Sequence, residues 1–218
     1  MNTQQTALVA GATGLVGKQL VNTLLADNRF GEVIVFTRRK TGFIHPKLTE
    51  HLIDFDKPQS WAERVKGDVL FSCLGTTLKA AGSKEKQYRV DFSYQYELAK
   101  AASTNKVGVL ILVSSAGADP NSRIFYSRMK GELDEAVQQL NFKKTVILRP
   151  SILDGNRQPK RPTEAFSLSL ARVLTRFVMK KYRPVADKTV ARAMVNSVFS
   201  ESKKTIFELD EIFALAGE

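Results

Sequence analysis

The feature that most constrains this chain is a run of apolar residues, 6–10, that ends in Gly11-Ala12-Thr13-Gly14-Leu15-Val16-Gly17 and passes at once into a helical pattern. Three glycines at this spacing meet the needs of a tight turn, of a backbone that must approach an anionic ligand closely, and of a helix packed against the preceding strand. The N–H groups at the start of the helix then face the ligand. A glycine loop is weak evidence by itself, because any strand–turn–helix joint can use one. Its place directly after an apolar strand is the context in which it reads as a dinucleotide phosphate cradle, with Gly11, Thr13, Gly14, Leu15, Val16 and Gly17 as the candidate contacts.

The rest of the chain repeats the same rhythm. Residues 33–36, 69–73, 109–113 and 145–148 read as buried strands, and 51–53 as a weaker one; residues 15–26, 84–102 and 122–140 carry apolar side chains at helical spacing without an internal proline. Alternation of this kind predicts an α/β fold, a Rossmann-type doubly wound parallel sheet with helices on both faces. The texture changes after Pro150, so residues 1–150 are expected to form the nucleotide-binding domain and 151–218 a small C-terminal substrate or lid segment packed on it. In that segment Phe166, Leu170, Val173, Leu174 and Phe177 mark one face of a helix starting near Thr163, with Arg172, Arg176 and Lys180 as an adjacent basic stripe. A second helix over 187–199 and a strand over 206–209 are expected to close the chain.

Cofactor preference is read just beyond the second strand. In dinucleotide folds an acidic residue about 20 positions past the glycines accepts the 2′-hydroxyl of NAD, whereas arginine suits the 2′-phosphate of NADP. Here Thr37 is followed by Arg38-Arg39-Lys40, with no acidic residue from 36 to 40. Guanidinium groups match phosphate geometry, so NADP(H) is expected in preference to NAD, through Thr37, Arg38 and Arg39. A candidate reaction centre lies further on. Ser114-Ser115 follows the fifth strand, and Tyr126 and Lys130, four apart, share one helix face. An ammonium beside a phenol favours the phenolate and brings it into range for proton transfer, while a serine hydroxyl can polarise a carbonyl.

Charge and composition limit the remaining classes. The net charge of +11 is locally uneven: residues 157–183 hold eight basic side chains against Glu164 alone. A solvated basic face explains this better than a nucleic-acid or membrane surface, since aromatic side chains suited to base stacking are sparse there. Cys73 is the single cysteine, which excludes an internal disulfide or cysteine-based zinc site, and His45 and His51 are too isolated for a metal site, so no metal is expected. No stretch has the length of a membrane span, and the first residues lack the basic segment of a secretory signal. A cytoplasmic location is the expectation, with self-association left open.

Taken together, the glycine loop, Asp54-Phe55, Cys73-Leu74-Gly75-Thr76-Thr77, Val90-Asp91, Ser114-Ser115-Ala116-Gly117-Ala118-Asp119, Tyr126-x-x-x-Lys130, Met129-Lys130-Gly131-Glu132-Leu133 and Leu148-Arg149-Pro150 carry a resemblance. The chain resembles an extended or atypical short-chain dehydrogenase/reductase, and within that superfamily is most similar to the Tat-interacting oxidoreductase group. The resemblance implies Asp54 and Phe55 near the adenine, and Leu74, Gly75 and Thr76 along the cofactor. It further implies Ser115, or second Ser114, orienting the reacting oxygen, Tyr126 as acid/base, Lys130 on the nicotinamide ribose, and the backbone after Pro150 at the carboxamide. A small carbonyl or alcohol substrate is the expectation. The short Ser115–Tyr126 interval and the small segment after Pro150 depart from nucleotide-sugar enzymes and leave the substrate's identity open. The rival class is an NADP(H)-binding sensor or partner-binding module with little catalysis, against which the intact Ser115, Tyr126 and Lys130 argue.

Overall fold

The computed structural model describes residues 4–154 and 183–218. Seven strands form one parallel sheet: β1 (Gln5–Ala10), β2 (Phe30–Thr37), β3 (Leu48–Leu52), β4 (Val69–Ser72), β5 (Val109–Val113), β6 (Lys144–Arg149) and Ile206–Glu208. Their spatial order is β3-β2-β1-β4-β5-β6 followed by the strand at Ile206–Glu208. The chain therefore winds outward from β1 in one direction, returns, and continues from β4 in the other. This is the doubly wound Rossmann arrangement expected from the sequence, and it opens a crevice where the winding reverses.

Side chains alternate between the two sheet faces with the period of a strand. Ala7 and Val9 of β1 belong to the core on one face, where Leu20 and Leu24 of α1 (Leu15–Ala26) meet Val190 and Met194 of a helix at Asp187–Phe199. Leu8 and Ala10 belong to the other face, covered by Leu98 of α4 (Tyr94–Thr104) and Leu133 and Val137 of α5 (Phe125–Gln138). Between β4 and α4 lie two short helices, α2 (Leu78–Ala81) and α3 (Lys84–Tyr88), and a π-helical turn at Arg89–Ser93. The single helix expected over 84–102 is thus interrupted by a wider turn, a feature that apolar periodicity does not register and that often marks functional sites.

The sheet does not end at Pro150. β7 (Leu153–Asp154) pairs with β8 (Val185–Ala186) in a small parallel ribbon, after which α6 (Asp187–Phe199) packs on α1 and β9 (Ile206–Glu208) joins β6 as the seventh strand. A final helix, α7 (Asp210–Ala216), packs on α6 and was not expected from the sequence. The helix expected from Thr163, with its basic stripe, lies outside the described residues. No helix among the described residues is long and apolar enough to cross a membrane.

Candidate active site

The parallel register sets Ala10 beside Ser72 and Phe36, and Leu148 beside Val113, so the loops after β1, β2, β4, β5 and β6 all emerge at one edge. Gly11, Arg38, Cys73, Ser115 and Pro150 occupy that edge because each follows its strand by one or two residues. At the reversal between β1 and β4 lies a cleft of about 420 Å³, a size typical of small-molecule sites.

The glycines divide the work at the cleft floor. Gly11 adopts φ +87°, and a Cβ there would come within 2.5 Å of the Cys73 carbonyl carbon. A Cβ on Gly17 would come within 2.1 Å of the Gly11 carbonyl oxygen, so both are required by packing alone. Gly14 differs: its nearest obstacle is the Gly11 oxygen at 3.2 Å, and its backbone is extended. No side chain caps α1 at Gly14 and no acidic residue occupies the first turn, which leaves the positive end of the helix open to an anion. Thr13 lines the same cleft, Leu15 is half-buried and Val16 is buried in the core.

Arg38, Lys86 and Arg89 bring three cations to the cleft, and no carboxylate is among the described residues that line it. Thr37 is buried, and its hydroxyl donates to the Arg39 carbonyl at 2.8 Å, shaping the turn that carries Arg38. Arg39 is exposed and outside the lining. Leu74, Gly75 and Thr76 form the opposite wall with Cys73. The Cys73 thiol itself turns to the Met194 sulfur at 3.7 Å, and burial pushes it up to about 12. Asp54 lies exposed beside Lys57 at 3.5 Å, and its side chain accepts from the Asp56 N–H. Phe55 is buried, stacked on Tyr94 with ring centroids 5.2 Å apart. The uncapped helix, the glycine floor and the cationic lining fit the phosphates of a dinucleotide.

The candidate reaction groups stand on α5 and the loop before it, outside the lining of this cleft. Tyr126 is 39% exposed on the first turn, whereas Lys130, one turn later, is almost fully buried. The Lys130 ammonium lies 3.7 Å from Asp91 Oδ1, and Asp91 Oδ2 accepts the Thr76 N–H at 2.8 Å. Burial raises the Asp91 carboxyl above its ordinary range, while Lys130 and the Thr76 amide pull it back. Asp91 thus ties α5 to the cleft wall. Its role is not legible in the sequence, because a single aspartate within a helical pattern carries no sign of facing inward.

Ser114 and Ser115 part company. Ser114 is buried and faces Asp134, whereas Ser115 is half-buried and its hydroxyl donates to the Ala116 carbonyl at 3.4 Å. The Ser114 N–H donates to the Leu148 carbonyl and the Ala116 N–H to that of Pro150, so the serine loop and the buried Pro150 are joined by backbone bonds. The loop rests on α5: a Cβ on Gly131 would fall within 2.2 Å of the Pro120 nitrogen, and the Asp119 N–H donates to the Ser127 carbonyl at 3.0 Å. The Met-Lys-Gly-Glu-Leu pattern thereby gains a physical reason, the close approach of loop and helix.

Comparison with known proteins agrees with this architecture. Residues 11–201 match a family described as NAD(P)H-binding. A Candida glabrata relative, "Protein FMP52, mitochondrial", is 43% identical over 158 residues, covering 71% of this chain and 66% of that protein. "Protein fmp52-1, mitochondrial" of Aspergillus oryzae is 36% identical over 206 residues, covering 88% and 85%. Among solved structures, ADP-L-glycero-D-manno-heptose-6-epimerase of Helicobacter pylori superposes with a TM-score of 0.70 at 20% identity over 99% of this chain and 82% of that one. A short-chain dehydrogenase/reductase superfamily protein of Agrobacterium tumefaciens with bound NAD gives 0.70 at 16% identity, over 94% and 77%. At such identities these two show the fold alone. The cytoplasmic expectation is corrected by the relatives, which are named as mitochondrial proteins. A single cysteine does not choose among the compartments of a cell. With the cleft at the reversal of a doubly wound sheet and the match spanning most of its length, this chain belongs to the NAD(P)H-binding family.

Proposed function

We propose that the protein is an NADP(H)-dependent oxidoreductase of the short-chain dehydrogenase/reductase type, closest to the Tat-interacting oxidoreductase group, acting on a small carbonyl or alcohol. The observation that carries this reading is the cleft, where an uncapped helix start and three cations meet no carboxylate among the described lining residues. Such a surface favours the nucleotide that carries an additional 2′-phosphate over one with a free 2′-hydroxyl. Bound there, the nicotinamide cofactor would supply or accept the hydride.

The chain's own groups then handle position and protons. The Tyr126 hydroxyl, exposed on the first turn of α5, gives or takes the proton at the substrate oxygen, and the Ser115 hydroxyl orients that oxygen. Lys130 serves the cofactor ribose from the buried side, its charge balanced by Asp91. In this reading residues 1–150 bind the nucleotide and 151–218 supply the substrate side, and the names of the relatives make mitochondria the compartment to examine.

Turnover with NADPH and a panel of small carbonyl compounds tests the proposal. Tyr126→Phe should lower turnover by about 100-fold or more while NADPH affinity stays within about twofold, since a general acid is lost and the ring is kept. Full turnover in that variant would remove Tyr126 from the reaction. Tight NADPH binding by a parent protein that turns over no carbonyl would favour the sensor reading.

A further inference from the structure

A second arginine lines the cleft besides Arg38. Arg89 opens the π-helical turn and lines the cleft together with Arg38 and Tyr94. Its guanidinium lies 3.5 Å from Asp56 Oδ1, with the two side chains 61% and 51% exposed. The same Asp56 oxygen accepts the Tyr94 hydroxyl at 2.9 Å, and the Tyr94 ring is stacked on Phe55. Burial and the bond to Asp56 raise the Tyr94 phenol, whereas Arg89 and Arg38 act on it in the opposite sense, so both guanidinium charges reach this one ring. Arg89 is therefore held beside Asp56, Tyr94 and Phe55 by a long, solvated ion pair. Pairs of that kind contribute little to stability and are readily exchanged. A phosphate monoester offers the same guanidinium two charges and a bidentate geometry.

We propose that Arg89 is a second selectivity residue for the nucleotide 2′-phosphate: it leaves Asp56 on binding and joins Arg38 on the phosphate. Asp56 then sets the affinity, because its carboxylate competes with the phosphate for Arg89 while keeping Tyr94 in place. The ligand class is a 2′-phosphorylated adenine dinucleotide, and the inference rests on the NADP(H) reading above.

Calorimetry on the full chain with NADPH and with NADH separates the cases. Arg89→Gln should weaken NADPH about tenfold and NADH less than about twofold, the difference expected for one charge-assisted contact to the extra phosphate. Asp56→Asn, which keeps an acceptor for Tyr94, should tighten NADPH about threefold, a gain that disappears in the Arg89→Gln background. Unchanged NADPH affinity in Arg89→Gln would overturn the inference. So would equal weakening of both nucleotides, which would place Arg89 on the pyrophosphate, or an Asp56→Asn gain that survives without Arg89. A parent that binds both nucleotides equally would overturn the NADP(H) reading and this inference together. A preference for NADPH that is lost in Arg38→Gln but intact in Arg89→Gln would overturn this inference alone. Both altered side chains are largely exposed, and unchanged circular dichroism confirms that each variant is folded.

Discussion

At the scale of single residues, the three loop glycines are alike in sequence and unlike in reason. Gly11 and Gly17 leave no room for a Cβ because neighbouring backbone stands within 2.5 Å of it, whereas Gly14 meets only the Gly11 oxygen at 3.2 Å. Gly14→Ala is therefore expected to fold, with a loss of about 1 kcal/mol or less in urea unfolding, yet to bind NADPH at least about tenfold more weakly by calorimetry. Gly17→Ala should instead destabilise by about 2 kcal/mol or more, as overpacking against fixed backbone does. Equal behaviour of the two variants would mean that Gly14 too is a packing residue. Lys130 teaches a related lesson. Its spacing from Tyr126 suggests a lysine presented to a ligand, and the side chain is in addition 3% exposed and paired with a buried aspartate. Lys130→Met would leave Asp91 buried without its partner, a change that costs about 3–5 kcal/mol. Lost activity in that variant therefore reports stability first, which is why Tyr126→Phe is the sharper probe of chemistry.

At the scale of elements, the serine loop is positioned by a buried ionic chain that joins α5, β6 and β9. Arg149 donates from Nε to Asp134 at 2.8 Å and from Nη1 to Glu208 at 2.9 Å. Asp134 is fully buried in α5 and faces Ser114; burial raises its carboxyl, and Ser114 and Arg149 pull the other way. Leu148-Arg149-Pro150 is thus a clamp as well as a border of the site: Arg149 points into the protein while the backbone on either side holds residues 114 and 116. Arg149→Met should cost about 3–5 kcal/mol in urea unfolding, since an uncompensated carboxylate is left inside, whereas Glu208→Gln, at the solvated end, should cost less than about 1 kcal/mol. Similar costs for both would place the strength of the chain at its exposed end. The sequence announced this motif through its resemblance, but not the direction of the arginine. That direction depends on an acid fifteen residues earlier and another fifty-nine later.

At the scale of the molecule, the described C-terminal residues share a core with the nucleotide-binding half. Val190 and Met194 of α6 and Phe213 of α7 pack in one cluster with Leu20 and Leu24 of α1 and with Val9 and Phe71 of the sheet. A shared core unfolds as a unit. Thermal unfolding followed by near- and far-UV circular dichroism should give a single coincident transition. Two separated transitions would instead favour independent units divided near Pro150.

The sequence by itself determined the fold class, the position of the glycine loop, the bounds of α1, β5 and α6, and the absence of an acidic residue after β2. These are local matters of periodicity, turn chemistry and charge, readable wherever the needed residues are neighbours along the chain. Tertiary structure alone decided which of the paired serines faces outward and where Lys130 and Arg149 point. It also decided that a π-helical turn divides Arg89, at the cleft, from Asp91, in the interior, and that β9 completes the sheet. Each of these rests on partners distant in sequence: Asp91 with Lys130, Asp56 with Arg89, Arg149 with Glu208. A polar side chain within a helical pattern looks the same whether it meets water or a buried opposite charge, and only the packing of one element on another distinguishes the two.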